Sequence, residues 1–195
     1  MQNYWEFILE KYEGSLYHIV DFNKLLYILN NNKISSYKFS YISTTRNKDL
    51  NGYIGDNPTT MFKLELDGKK LSNDYETKPF TYVSRTNIHF TEEEEEQIQT
   101  HDIENAFKYI KKIILIKGNL EHLKGSGWFT TDGGNFEGER MTIPTLLKYV
   151  LKKMKRDGFE LYVQEIGIVK KDDKYIQSIL EHPIETIHHG YAYFL

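Results

Sequence analysis

The chain has 195 residues, 25 basic and 28 acidic side chains, a formal net charge of −3, 14% aromatic residues and no cysteine. These figures exclude a disordered chain, a disulfide framework, a thiol nucleophile and a thiolate zinc site, and leave at most a local basic surface for nucleic acid. No apolar run approaches the roughly 20 residues of a membrane span, and the first residues lack the basic start and cleavage site of a secretion signal. The expectation is a soluble, cytoplasmic protein with one domain over 1–195.

In chain order, Asn3–Tyr12 has the pattern of a short amphipathic helix that stops before Gly14. Leu16–Val20 is a compact β-type run. Asp21 caps a helix whose apolar positions Phe22, Leu25, Leu26 and Leu29 recur at helical spacing, and Asn30-Asn31-Asn32 ends it. Tyr37–Thr44 alternates as a strand should. Lys48–Thr60, with Gly52, Gly55, Asn57 and Pro58, is a loop. Met61–Leu66 is an alternating strand that turns at Asp67-Gly68, and Phe80–Val83 is a second short strand after an irregular link. Thr91 and Glu94 have capping-box spacing, so a helix can start within the glutamates. Ile103, Phe107, Ile110 and Ile114 continue a helical face and merge into an apolar run, Ile113–Ile116. Lys117–Glu139 is glycine-rich and irregular. Thr142 and Pro144 open a helix through Lys155, closed by Gly158. Phe159–Val169, an Asp172-capped helix and a strand near Ile187–Leu195 complete the order. Strands cluster instead of alternating with helices, which favours an α+β fold.

The phosphate-loop, dinucleotide-fingerprint, zincin and EF-hand patterns are missing. The seven histidines are dispersed, and the adjacent pair His188-His189 points to opposite faces of a strand, so no metal is expected. Only four of the 25 basic residues are arginine (Arg46, Arg85, Arg140 and Arg156). An arginine in a lysine-rich chain is the better candidate for a specific task, because an ammonium does not replace its planar fork.

Three segments carry the chemistry. In Leu16-Tyr17-His18-Ile19-Val20-Asp21 a strand histidine runs directly into a helix, where its ring can donate to a ribose hydroxyl; the plain alternative is a half-buried histidine bonded to backbone. Tyr41-Ile42-Ser43-Thr44-Thr45-Arg46 ends a strand in three hydroxyls and a bidentate clamp for phosphate or carboxylate; the alternative is a strand edge with a solvated arginine. Glu92–Glu96 is either a solvated helix start or the source of a carboxylate that stabilises an oxocarbenium ion. Trp128 and the cluster Glu137-Gly138-Glu139-Arg140 fit no assigned role.

The order L-Y-H-x-x-D, an apolar helix, N-K-I, Y-I-S-T-T-R-N, F-K-L-E-L-D-G-K-K-L-S and a later glutamate cluster resembles the ADP-ribosyltransferase superfamily. It looks most like small phage and bacterial members, distantly DarT-like, over about 16–110. The resemblance implies a split β core with flanking helices that holds NAD as substrate in a cleft. His18 matches the residue that contacts the nicotinamide-side ribose, with Tyr17 beside it. Tyr41, Ser43, Thr44 and Thr45 match the strand bordering the nicotinamide pocket, and Tyr53 follows in the loop as a further NAD contact. Arg46 would be a phosphate ligand or catalytic group. The catalytic glutamate would fall in Glu92–Glu96, with Glu94 and Glu96 chosen because they lie two apart on one strand face. Residues 118–195 would complete the fold or recognise the acceptor.

The function implied is NAD-dependent ADP-ribosyl transfer to a protein, a nucleic acid or a small molecule, in a phage protein directed at a host or defence target. The alternative is a catalytically inactive nucleotide- or protein-binding inhibitor with the same fold. A third reading is a structural or interaction module.

Overall fold

The computed structural model describes residues 13–36, 39–49, 62–79, 82–83, 88–89, 95–116, 127–128, 140–141, 143–165 and 168–181. Among these the chain is mixed α+β, with four helices and a large mixed sheet of eight strands. In chain order the elements are β1 (Ser15–Val20), α1 (Phe22–Asn31), β2 (Lys33–Ser35), β3 (Ile42–Thr45), β4 (Phe62–Asp67), α2 (Gly68–Asp74) and β5 (Thr77–Pro79). There follow β6 (Tyr82–Val83), β7 (Ile88–His89), β8 (Glu95–Ile98), β9 (Asp102–Glu104), a 3-10 turn (Ala106–Lys108) and β10 (Ile110–Ile116). The remainder are β11 (Gly127–Trp128), β12 (Arg140–Met141), α3 (Ile143–Arg156), β13 (Leu161–Glu165), β14 (Ile168–Lys170) and α4 (Asp173–Glu181).

The chain divides into two compact units: Met1–Ile19, Asn32–Asn57 and Lys63–Lys112 form the first, and Val20–Asn31, Pro58–Phe62 and Ile113–Leu195 the second. In the first unit the strand order is β4-β1-β3-β8-β5, and β2 pairs with β9 in a separate ladder. Strand β3 lies between β1 and β8 and is antiparallel to both, with Tyr17 opposite Thr45 and Ser43, Thr44 and Thr45 opposite Gln97, Glu96 and Glu95. A strand paired on both edges suits the β-branched run Ile42–Thr45. Leu16, Ile42, Leu64, Leu66, Ile98 and Ile103 are buried in this unit.

In the second unit the order is β14-β13-β10. Ile113–Ile116 of β10 runs parallel to Leu161–Gln164 of β13, and a parallel pair requires a crossover, which includes α3. Helix α1 buries Phe22, Leu25, Leu26, Ile28 and Leu29, and the Phe22 ring meets Phe62 edge-to-face at 5.0 Å. Such a pair adds about 1 kcal/mol beyond burial.

The helix signals around α1 and α3 produce the helices they predict. The Asp21 carboxylate accepts from the Lys24 amide at 2.7 Å, and Asn32 at φ 50° closes α1 in the left-handed region. Gly158 at φ 81° ends α3, where the Phe159 amide donates back to the Met154 carbonyl at 2.8 Å in a Schellman closure. The Asp172 carboxylate caps α4 by accepting from the Tyr175 amide at 3.1 Å.

Four expectations change. Asp67-Gly68 is not a simple turn: the Asp67 carboxylate accepts from the Lys70 amide and starts α2. The link before Phe80 contains β5, paired with β8. The capping-box helix does not form over Glu95–Ile98, which is strand; pairing on both edges outweighs the local cap signal. The helical face through Ile103, Phe107, Ile110 and Ile114 resolves into β9, a 3-10 turn and β10, because Asn105 takes φ 52° and breaks the run. The expected helix Asn3–Tyr12, the strand Ile187–Leu195, most of Lys48–Thr60 and most of Lys117–Glu139 lie outside the described residues. Among the described residues no helix is long and apolar enough to cross a membrane, and no group of three or more His, Asp or Glu could hold a metal ion.

Candidate functional site

The three chemistry-bearing segments meet in the first unit, on β1, β3 and β8. Residues opposite one another in a ladder share a face, and residues two apart in a strand share it as well. Tyr17, Ser43, Thr45, Glu95 and Gln97 therefore line one side of these strands, and Ile42, Thr44, Glu96 and Ile98 the other. The first side is half-buried except at Thr45, whereas the second is buried throughout.

On the half-buried side the Ser43 hydroxyl donates to Glu95 Oε1 at 2.7 Å. This fixes a carboxylate oxygen on the face that also carries Tyr17 and Thr45. His18 is 4% exposed, and its Nδ1 lies 2.8 Å from the Ser43 carbonyl. A carbonyl only accepts, so Nδ1 is the donor. This bond is the backbone contact of the plainer reading of His18, and it also ties the histidine to the serine that holds Glu95.

The buried side is organised around Glu96, which is 1% exposed. Arg46 donates to its Oε2 through Nε at 3.0 Å and Nη2 at 2.5 Å, and Thr77 adds a side-chain hydrogen bond. Burial raises the Glu96 pKa above the usual carboxylate value, and the Arg46 charge opposes that rise without cancelling it. The hydroxyls of Thr44 and Thr45 serve the backbone: Thr44 donates to the Glu96 carbonyl at 2.7 Å, and Thr45 accepts from the Asn47 amide at 2.9 Å. The Ser43 hydroxyl is bonded to a candidate carboxylate.

Two residues that the sequence reading did not select enter the site. The sequence favours Glu94 and Glu96 over Glu95, whose signal is the register that puts it on the Ser43 face and so requires the strand pairing. Lys63 of β4 is 0% exposed, donates from Nζ to the Lys48 carbonyl at 2.6 Å, and lies 5.7 Å from the centre of the Tyr17 ring. Burial lowers its pKa to about 8, with Asp49 acting in the opposite direction. A lysine at the third place of the alternating run Met61–Leu66 was its visible signal. Tyr41 stacks on Phe39, which is 56% exposed, with ring centres 5.2 Å apart, just before β3. Glu94, Tyr53 and Arg85 lie outside the described residues.

The arrangement can orient the Glu95 carboxylate on the half-buried face, with His18 bonded to the backbone of the strand that holds it, and keeps the Glu96 carboxylate paired with Arg46 on the buried face. Comparison of the chain with models of protein families, with curated proteins and with solved structures finds no match.

Proposed function

We propose that this protein is an NAD-dependent ADP-ribosyltransferase-like enzyme whose site is built on β1, β3 and β8. The observation that supports the reading most is the Ser43–Glu95 hydrogen bond, with His18 bonded to the carbonyl of the same serine. It brings the histidine, hydroxyl and glutamate segments of the resemblance together from positions 25 and 52 residues apart in the chain. The donors and acceptors on the half-buried face suit NAD as substrate: the Ser43 hydroxyl, the Tyr17 phenol and the Glu95 carboxylate are groups that bind a ribose diol.

In this reading Tyr17 and Ser43 orient the nicotinamide-side ribose, Tyr41 and Thr45 border the ring, and His18, buried on the opposite face, acts through its bond to the Ser43 carbonyl. The Glu95 carboxylate accepts a hydrogen bond from a ribose hydroxyl and stabilises the positive charge that grows as the bond from the anomeric carbon to nicotinamide breaks. The bond's electron pair leaves with nicotinamide, and a nucleophile on the acceptor then bonds to the anomeric carbon and gives up its proton to solvent. Arg46 holds Glu96 below the sheet, so Glu96 supports the strand that carries Glu95 and does not itself meet substrate. The acceptor class remains protein, nucleic acid or small molecule.

Incubation with labelled NAD and cell lysate tests this, with nicotinamide release and label transfer as readouts. Wild type is expected to release nicotinamide, Glu95→Gln to lose at least 100-fold of that rate, about 3 kcal/mol in the barrier, and His18→Ala to lose less, through the strand that carries Ser43. NAD binding by wild type without any nicotinamide release or adduct would favour the catalytically silent nucleotide-binding protein instead.

A further inference from the structure

Helix α3 has a composition that its place in the fold does not require. Over Ile143–Arg156 it carries Lys148, Lys152, Lys153, Lys155 and Arg156 and no acidic residue. Its apolar face is spent inward, since Leu146, Leu147, Val150, Leu151 and Met154 are all buried. The face that remains outward is therefore cationic, with Tyr149, 39% exposed, set among the charges. Lys152, Lys155 and Arg156 are exposed, and Lys148 and Lys153 are half-buried.

The helix dipole explains part of this pattern. Cations in the last turn complement the partial negative charge there, which covers Lys153, Lys155 and Arg156. It does not cover Lys148 or Lys152, nor the lack of any glutamate or aspartate in a chain with more acidic than basic residues. Surface helices ordinarily intersperse both signs, and a single-sign field costs self-repulsion unless an opposite charge answers it. Asp157 answers Arg156, accepting from its Nε at 2.9 Å; burial is the main cause that lowers the Lys153 pKa, with Arg156 adding to it and Asp157 opposing it.

The spacing narrows the partner. Lys148, Lys152 and Lys155 lie at i, i+4 and i+7, one stripe along the helix about 10 Å long. A membrane surface is disfavoured, because a helix lying in a lipid interface inserts its apolar face, and here that face is already buried. A row of point-charge donors with one exposed aromatic ring fits a regularly charged backbone with planar groups attached.

We propose that the outward face of α3 is a nucleic-acid docking surface that binds the phosphate backbone through Lys148, Lys152 and Lys155 without reading sequence. Tyr149 supplies a stacking face for an unpaired base. This proposal rests on the helix alone and is independent of the reaction proposed above.

Fluorescence anisotropy of a labelled 20-nucleotide single strand and a 20-base-pair duplex, titrated with the full chain at 50 mM salt, tests it. Wild type is expected to bind at least one of the two. Raising salt threefold should weaken binding about 20-fold, the effect of three released counterions. The triple variant Lys148→Gln/Lys152→Gln/Lys155→Gln should lose at least tenfold in affinity and most of the salt dependence. Circular dichroism and the melting temperature report whether it remains folded, and the pair Lys152→Gln/Lys155→Gln, both exposed, serves if it does not. Three results overturn the proposal: no binding to either nucleic acid, binding that a folded variant retains in full, or competition by poly-L-glutamate or anionic vesicles as effective as by nucleic acid.

Discussion

Replacing Arg46 by methionine removes the charge that faces the buried Glu96 while keeping a side chain of similar reach. The Arg46 side chain is 26% exposed and that of Glu96 only 2%, so the two ends of this pair are unequal: the arginine can turn to water and the glutamate cannot. Removing one partner of a buried pair typically costs about 3–5 kcal/mol, because the remaining charge is left desolvated. For a chain of this length that corresponds to a fall in melting temperature on the order of 10 °C. The loss should depend on pH. Burial already raises the Glu96 pKa in the folded chain. The folded state therefore keeps a proton that the unfolded chain releases in the ordinary carboxylate range. The stability from this linkage is complete below that range and is lost as pH rises through the raised value. Without Arg46 the folded pKa rises further, so the window of loss widens upward in Arg46→Met. Urea denaturation from pH 5 to pH 8 checks this. Arg46→Met should lie closer to wild type at pH 5 than at pH 8, and Arg46→Met/Glu96→Gln should recover most of the difference at pH 8. A single variant within 1 kcal/mol of wild type at pH 8, or a double variant no better than the single, would refute the reasoning.

Other substitutions separate the two faces of the strands. Ser43→Ala should cost only about 1 kcal/mol of stability, one hydrogen bond, yet depress nicotinamide release far more than that, because Glu95 loses the group that orients it; parallel losses in both assays would make the bond merely structural. Lys63→Met tests the buried amine. A lysine whose pKa falls to about 8 in the folded state binds fewer protons there than in the unfolded chain, so wild-type stability gains as pH rises from about 8 towards the ordinary lysine value, by at most about 3 kcal/mol. Denaturation of wild type and Lys63→Met at pH 7.5 and 10 should show that gain in the wild type alone. Gly158→Ala should destabilise by about 1 kcal/mol through backbone strain alone, since φ is 81° and nothing lies within 4 Å of an added methyl group; an unchanged melting temperature would contradict that account.

What could be read from the chain divides by range of interaction. Helices α1 and α3 were legible because their signals are local: Asp21 and Pro144 at the start, Asn32 and Gly158 at the end, and apolar side chains at helical spacing between them. The Ile103–Ile114 pattern had the same spacing and was misleading, because short strands on either side of a left-handed Asn105 can place apolar residues three and four apart by coincidence. Strand β5 was invisible, since three residues ending in proline carry almost no alternation of their own and are strand only because β8 pairs with them.

The glutamate run shows the same division inside the candidate site. Five identical residues have no internal contrast, so a local reading has to choose by helix capping or by strand parity, and parity alone favours Glu94 with Glu96 over Glu95. The pairing of β3 with β8 separates Glu95 from Glu96. Thr44 opposite Glu96 turns that carboxylate to the buried side, where a single arginine at the end of β3 neutralises it, and Thr45 opposite Glu95 turns its neighbour to the half-buried side, where Ser43 holds it. The scarcity of arginine thus pointed to a residue with a defined partner, Arg46, but not to the kind of partner, because an arginine at a strand end suits a buried glutamate as well as it suits a phosphate. The contrast between the two glutamates also orders the experiments. A charge-removing change at Glu96 should be read in denaturation, and the same change at Glu95 in turnover. A Glu95→Gln variant that melts well below wild type while turning over normally would reverse the assignment of the two faces.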